Sequence, residues 1–373
     1  MLYTSFLQAK AHISEKDILL LRLLFCNSAT QDNIDKLLEG YDMDSASLAF
    51  NTLLAYLMQE HSDIKFPDEL IPRLKGVIRF LQYKNAALLE GFSDAGKRLN
   101  AKNIPLLLIK GIAMRFLDIS KPRLMWDVDF VVDEENYDEA IRCAEEAGFT
   151  IKWRWPHSSD LIKGVAALDI HRLYMHQHGT VAFTSNNIRR IFIEARKETF
   201  CGVEVLIPRS EDLMLIALTN LYHNLVVDRN EKVNRYYCCY DILKIITSNQ
   251  LNWDVIIDAS LQMNVLYQIR IILEFVDELW PSAVPGELLD RIRAYPFDEF
   301  QVKRDRLTGS LEGVVCAWHN WDFRKCRTPK DIVSGLTLGF KYLCAKIIEE
   351  NAIAKRYLFN LRYSLLEKKE GKI

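Results

Sequence analysis

Two aspartates spaced two residues apart are the side chains best suited to chemistry in this sequence. Asp127 and Asp129 lie in the run Trp126-Asp127-Val128-Asp129-Phe130-Val131-Val132, whose β-branched and aromatic residues predict a buried strand. Alternate side chains of a strand project from the same face, so the two carboxylates should lie side by side. Like charges at that spacing repel and lose hydration unless a cation lies between them. Mg²⁺ is the expected ion, since it binds a few carboxylates together with substrate phosphates.

A turn that could bind an anion precedes this pair. The apolar segment 105–109 predicts a strand, which runs directly into Lys110-Gly111 and a short helix predicted over 111–118. A strand, a glycine turn and a helix start together present backbone N–H groups to an anion, and Lys110 adds a positive charge there. We therefore expect Lys110 and Gly111 to contact phosphate.

A third carboxylate, Asp169, lies in the strand predicted over 165–171. His171 projects from the same face of that strand and is expected to contact substrate, to orient a carboxylate or to be an ordinary structural histidine. Arg123 lies on the loop before the aspartate pair, where it would hold a triphosphate in a forked geometry or be a surface charge. Three acidic groups beside a phosphate-binding turn are typical of two-metal phosphoryl or nucleotidyl transfer.

These motifs, in this order, resemble the polymerase-beta-type nucleotidyltransferase superfamily. The closer resemblance is to an uncharacterised bacterial nucleotidyltransferase family that carries Lys-Gly in place of the usual Gly-Ser turn. The likeness covers roughly residues 70–260. The segments that carry it are Leu108-Ile109-Lys110-Gly111, Arg123 with Asp127-x-Asp129, Ala147-Gly148-Phe149, Leu168-Asp169-Ile170-His171, Pro208-Arg209-Ser210-Glu211-Asp212-Leu213, His223, Asp241-Ile242-Leu243 and Asn252-Trp253-Asp254.

The resemblance implies an α/β (α+β) fold with a polymerase-beta-like core and a mixed sheet. It also implies transfer of a nucleoside monophosphate from a nucleoside triphosphate to an acceptor, with release of pyrophosphate and with Mg²⁺ or Mn²⁺ as cofactor. Asp127, Asp129 and Asp169 would be the catalytic metal ligands.

Lys110, Gly111 and Arg123 would bind the nucleotide. The resemblance also suggests that His223 and Asp241 recur in the family, where they would either pack two helices together or line the acceptor side of the cleft. Superfamily members usually have a serine after the turn glycine, whose hydroxyl helps to hold the terminal phosphates. Ile112 stands there in this chain, so another group must donate to the phosphates.

Two other functions are compatible with the same residues. The absent serine would suit a non-catalytic nucleotide- or partner-binding module, although the three carboxylates argue against it. A phosphotransferase could use the same metals.

The length of 373 residues suggests two or three domains. Helical periodicity over 1–100, with helices expected at 15–26, 45–58 and 68–99, predicts an N-terminal helical region. Alternating strands and helices predict a nucleotidyltransferase core over 101–208, and a C-terminal helical domain should cover 209–373. We expect the active cleft between the core and the C-terminal helices.

The net charge, the cysteines and the apolar runs of the sequence limit which partners and which cellular compartment we expect. A formal net charge of -2 gives no overall basic field, which does not favour long nucleic acid. The 8 cysteines include no C-x-x-C pair, and with no signal peptide at Met1 they predict reduced thiols in a cytoplasmic protein. No apolar run approaches the roughly 18–20 residues of a membrane span. The acceptor is expected to be a small molecule, a peptide or a protein.

Overall fold

A computed structural model describes residues 13–25, 29–116, 123–154, 157–172, 185–227, 235–248, 250–263 and 265–295. The part of the predicted C-terminal helical domain from residue 296 onward lies outside the described residues. The predicted divisions at 100/101 and 208/209 stay predictions.

The chain begins with helices, as predicted. They are α1 (Glu15–Phe25), α2 (Gln31–Leu38), α3 (Leu48–Glu60) and α4 (Leu70–Ala101). Ser47 begins α3 by accepting a hydrogen bond from the backbone N–H of Phe50, and Thr30 caps α2 in the same way. The short helix α2 was not predicted.

The middle of the chain alternates strands and helices around one sheet. The elements are β1 (Leu107–Leu108), α5 (Lys110–Met114), β2 (Val128–Val131), α6 (Tyr137–Glu146), β3 (Thr150–Arg154), β4 (Ser158–Lys163), β5 (Ala166–His171), α7 (Ser185–Glu194), β6 (Arg196–Phe200) and β7 (Val203–Ile207). The seven strands follow the order β3-β4-β5-β2-β1-β7-β6. β2 runs parallel to β5 and β1 parallel to β7, while the other neighbours are antiparallel. The prediction of an α/β fold with a mixed sheet is confirmed.

Two of these strands were not predicted, for a physical reason. The edge strand β6 is mostly exposed and reads Arg-Lys-Glu-Thr-Phe, so it carries the charges that keep a sheet edge from pairing and lacks an apolar pattern. β4 begins with Ser158-Ser159-Asp160, which are polar although the two serines are buried.

The long helix α4 packs across the sheet at two glycines. A Cβ on Gly91 would lie 2.6 Å from that of Ala166 on β5, and one on Gly96 would lie 2.7 Å from a methyl carbon of Val203 on β7. Helix and sheet therefore approach more closely than any other residue would allow. Leu81, on the same helix, is fully buried.

The helices that follow the sheet are α8 (Ser210–Tyr222), α9 (Arg235–Ser248), α10 (Trp253–Gln262), α11 (Leu266–Leu279) and α12 (Gly286–Arg293). Buried apolar side chains of the N-terminal helices, the sheet and these helices form one continuous core. Among the described helices, none is long and apolar enough to cross a membrane. Four cysteines fall in the described ranges, and all are free thiols: Cys143, Cys201, Cys238 and Cys239.

Candidate active site

Strand register brings two of the predicted carboxylates together. β2 and β5 are parallel neighbours in which Asp129 pairs with Asp169 and Val131 pairs with His171. Paired residues of neighbouring strands project from the same face, as do alternate residues of one strand. Asp129, Asp169 and His171 therefore share one face, and each offers a ligand atom within 4.8 Å of the others. All three are buried.

Two cationic groups contact these carboxylates. The ammonium of Lys110 lies 2.6 Å from Oδ1 of Asp129 and 3.7 Å from Oδ2 of Asp169. Nε2 of His171 lies 2.7 Å from Oδ2 of Asp169 and 3.3 Å from Oδ1 of Asp129. Lys110 and His171 are themselves 3.3 Å apart. In this structure the Lys110 ammonium contacts protein carboxylates, and its contact with phosphate stays a prediction.

The pKa values of Asp169, His171 and Lys110 depend on one another's charges and on burial. Burial would raise the pKa of Asp169, but His171 and Lys110 hold it well below its usual range. Burial would lower the pKa of His171, but Asp169 and Asp129 raise it to about 9. The pKa of Lys110 is likewise held above its ordinary value by Asp129 and Asp169, against the effect of burial.

Asp127 lies at a bend directly before β2 and is half-buried. Burial and the charges of Asp129 and Asp169 raise its pKa to about 8. The positive charge of Lys110 lowers this pKa but does not offset the other effects. Asp160 on β4 pairs with Asp169 and so lies on the same face. Sequence reasoning missed Asp160 because β4 was not recognised as a strand.

This donor set fits a divalent cation. Asp127, Asp129 and Asp169 supply the carboxylate oxygens that Mg²⁺ and Mn²⁺ prefer. Oδ1 of Asp169 is buried and has no hydrogen-bond partner among the described residues, which is costly unless a ligand satisfies it. Burial and the neighbouring carboxylates also raise the pKa of Asp127, so a cation bound beside it would relieve that repulsion. We call Asp127, Asp129 and Asp169 the carboxylate cluster.

The Lys-Gly turn differs from its predicted form. Helix α5 has only five residues, so its dipole contributes little to anion binding. Lys110 has a φ of 50°, a left-handed conformation that costs a non-glycine residue about 1–2 kcal/mol. The backbone N–H of Ile109 donates to the carbonyl of Asp129, which fixes the turn beside β2. Ile112 is fully buried, so its side chain takes no part in the site.

Arg123 is bound to Asp241 of helix α9. Its Nε donates to Oδ1 of Asp241 at 3.0 Å, and its Nη2 donates to Oδ2. A third donor, Nη1, bonds the carbonyl of Leu124. The carboxylate of Asp241 keeps the pKa of Arg123 above its ordinary value although burial opposes this. A Cβ on Gly111 would collide with the Arg123 guanidinium, so the turn glycine makes room for this pair.

The loop that carries Arg123 is held from two sides. The side-chain amide of Asn85 on α4 donates to the carbonyl of Arg123 at 2.7 Å. The hydroxyl of Tyr237 on α9 accepts from the backbone N–H of Leu124 at 3.3 Å. The Arg123–Asp241 pair therefore belongs to a contact between the sheet and α9.

A cavity of about 900 Å³ opens beside the carboxylate cluster. The sheet side contributes Lys110, Arg123, Asp127 and Asp129. The helices after the sheet contribute residues of α8 and α9, as the predicted position of the cleft requires. The N-terminal region also lines the cavity, which was not predicted; its residues include Asp17, Tyr41, Asp42, Ser45, Ser47 and Phe50.

His223 does not join this group. It follows α8 and is half-buried, at the start of a single wide helical turn, His223–Val227. It is absent from the described residues that line the cavity.

Sequence reasoning also missed Trp126 and Lys84. Trp126 lines the cavity and is 58% exposed. The Lys84 ammonium lies 3.2 Å from the centre of its ring. The position of Trp126 next to Asp127 in the sequence was the available signal.

Comparison with known proteins identifies a family whose model matches this chain. A model described as an uncharacterised nucleotidyltransferase matches residues 48–281, well over half of the chain. No curated protein matches the chain.

Two solved structures are similar to part of the chain. One is the solution structure of the antibiotic-resistance factor ANT(2'')-Ia, 14% identical with a TM-score of 0.30, covering 43% of this chain and 88% of that one. The other is the lincosamide antibiotic adenylyltransferase LnuA with lincomycin bound, 16% identical with a TM-score of 0.28, covering 40% of this chain and 91% of that one. At TM-scores this low, neither structure bears on the function of this chain.

Proposed function

Because the chain belongs to the family of uncharacterised nucleotidyltransferases, we propose that it transfers a nucleoside monophosphate from a nucleoside triphosphate to an acceptor in a metal-dependent reaction. The membership confirms the resemblance noted in the sequence. The observation that carries the proposal is the meeting of Asp129 and Asp169 on neighbouring strands, with Asp127 and Asp129 lining a cavity large enough for a nucleotide.

The carboxylate cluster would hold Mg²⁺ or Mn²⁺. The sequence-based interpretation assigns it two ions, one bound to the triphosphate by Asp127 and Asp129 and one shared with Asp169. When bound, such ions neutralise phosphate charge and lower the pKa of the attacking group. Lys110 and Gly111 would contact phosphate at the turn.

The reaction joins an acceptor oxygen or nitrogen to the α-phosphorus. The bond from that phosphorus to the pyrophosphate oxygen breaks, and pyrophosphate leaves with the electron pair. The acceptor proton passes to a base, for which the Asp169 carboxylate is the candidate. His171 holds Oδ2 of Asp169 and thereby aims Oδ1.

Arg123 is proposed to act mainly by position. Three of its five N–H groups are occupied by Asp241 and Leu124, so at most two remain for phosphate. Asp241 is then a supporting residue. His223 is proposed to support helix packing, since it lies away from the cavity lining that the structure describes.

Labelled triphosphates test the reaction. Each nucleoside triphosphate is supplied with the label either in the base or in the γ-phosphate, together with Mg²⁺ and separate pools of small molecules, peptides and proteins as acceptors. We expect the base label on an acceptor and the γ label in pyrophosphate, with neither result for Asp129→Asn or Asp169→Asn. The γ label on the acceptor would mean a phosphotransferase, and triphosphate binding without turnover in any pool would mean a binding module.

A further inference from the structure

Lys110 lies where a second cation of the proposed site would have to bind. Its ammonium is 2.6 Å from Oδ1 of Asp129 and 3.7 Å from Oδ2 of Asp169, which is the space between the two facing carboxylates. The two ions of a two-metal site lie about 3.5–4 Å apart and share carboxylates placed in this way. A divalent ion between Asp129 and Asp169 would therefore have to displace Lys110.

Several contacts hold Lys110 in this position. Its backbone has the left-handed φ of 50°, which a lysine adopts only when its surroundings impose it. The neighbouring residue Ile109 is hydrogen-bonded to the backbone of Asp129 itself. Gly111 on the other side is packed against Arg123, which Asp241 fixes. The turn thus aims the ammonium at the carboxylates from a rigid base.

His171 occupies the remaining approach to the same space. Its Nε2 contacts Asp169 at 2.7 Å and Asp129 at 3.3 Å, and it is almost fully buried. A divalent ion placed there would lie within a few ångströms of two positive side chains, and such like-charge contacts are costly in a buried site. Asp127 lines the cavity and is half-buried, so its carboxylate remains accessible to a cation.

We propose that Lys110 is a built-in replacement for the second metal ion, so that this enzyme binds one divalent cation, held by Asp127 and Asp129 with the triphosphate. The inference rests on the proposed function. In this arrangement the Lys110 ammonium contacts the α-phosphate and the attacking acceptor atom, favouring the ionised acceptor and balancing the charge that develops on the phosphate. This proposal keeps the predicted contact between Lys110 and phosphate, but it reduces the predicted number of metal ions from two to one.

Counting bound ions tests the proposal without measuring activity. The full chain is dialysed to equilibrium against Mn²⁺ and α,β-methylene triphosphates of the four common nucleosides, and Mn²⁺ and triphosphate are both counted per chain. We expect one Mn²⁺ per bound triphosphate in the wild type. Lys110→Met keeps the length of the side chain without its charge, and it should raise the count to two.

Lys16→Met is the matched control. Lys16 also lines the cavity, but its ammonium bonds the backbone carbonyl of Glu39 and not the carboxylate cluster. The Lys16→Met variant should still bind one Mn²⁺ per triphosphate. Two Mn²⁺ per triphosphate in the wild type would overturn the inference and leave the proposed function standing. Triphosphate bound without Mn²⁺, or no binding of either, would overturn both. One Mn²⁺ per triphosphate in a folded Lys110→Met variant would also overturn the inference, and a wild-type count of two overturns it even if that variant does not fold.

Discussion

At the scale of single residues, the site is a cluster of charges with more negative than positive members. Asp127, Asp129 and Asp169 face Lys110 and His171, and burial together with the excess negative charge raises the pKa of Asp127 to about 8 from the ordinary 3.8. The strand pattern and the spacing of the aspartates predicted this repulsion. They did not predict Lys110 as a partner of Asp129, because 19 residues separate the two and their contact depends on how the turn folds back on β2.

Asp127→Asn should stabilise the metal-free protein, with a pH dependence whose sign follows from the raised pKa. The unfolded chain loses the Asp127 proton near pH 4, whereas the folded protein keeps it to about pH 8. Wild-type stability therefore falls between pH 4 and pH 8, and the asparagine avoids that loss. We expect the variant to be more stable than the wild type by about 1–3 kcal/mol at pH 8 and equal to it near pH 4, in denaturant titrations with chelator.

Mg²⁺ supplies the control for that experiment. Adding it with triphosphate should stabilise the wild type and leave Asp127→Asn unchanged, because stabilisation requires binding to the folded state. Asp44→Asn serves as a surface comparison, since that side chain is 80% exposed. A variant less stable than wild type at pH 8 would show that Asp127 already has a cationic partner.

At the scale of elements, strands and helices predicted from apolar patterns are largely found, and their relative placement is what sequence reasoning could not supply. The strand predicted over 165–171 is found at Ala166–His171, but its pairing with β2 in the register that joins Asp169 to Asp129 depends on the tertiary structure. β6 was not predicted because its charged residues give this edge strand no apolar pattern. Asp241 and Arg123 were both singled out, yet nothing in their separation of 118 residues indicated a direct pair.

The Arg123–Asp241 pair should be required for stability. Asp241→Ala leaves a buried guanidinium without its partner, which should lower the free energy of unfolding by about 3–5 kcal/mol. The double variant Arg123→Met, Asp241→Leu should recover most of that loss, because it removes both charges and fills the space. Urea unfolding of the two variants measures the difference.

An exposed pair gives the matched comparison. Arg73 and Asp44 also form an ion pair, but their side chains are 47% and 80% exposed. Asp44→Ala should cost less than about 1 kcal/mol. If Asp241→Ala were equally mild, the pair would be a solvated contact and the loop before β2 would need another anchor.

At the scale of the whole molecule, the cavity joins three stretches of the chain that are distant in sequence. Residues near 40–50 of the N-terminal region, the turn and loop of the sheet, and helices α8 and α9 all line it. Composition and periodicity gave the helical character of the N-terminal region without indicating that it borders the site. The cavity is lined from the sheet and the later helices, where the cleft was expected, and the N-terminal region borders it as well.

A bound metal-triphosphate should slow hydrogen exchange in all three stretches at once. Ligand contact lowers the population of open states, so the amides near 40–50, 110–115 and 237–241 should gain protection together. Helix α12 lies outside the described cavity lining and should exchange at an unchanged rate. Protection confined to the sheet residues would mean that the N-terminal region borders an empty part of the cavity.

Anomalous diffraction from crystals grown with Mn²⁺ and an α,β-methylene triphosphate would locate metal and nucleotide in one measurement. We expect Mn²⁺ within about 2.0–2.3 Å of carboxylate oxygens of Asp127 and Asp129, with the triphosphate in the cavity and its α-phosphate toward Asp169. Manganese bound elsewhere, or a triphosphate that lies away from the carboxylate cluster, would contradict the proposed nucleotidyl transfer at this site.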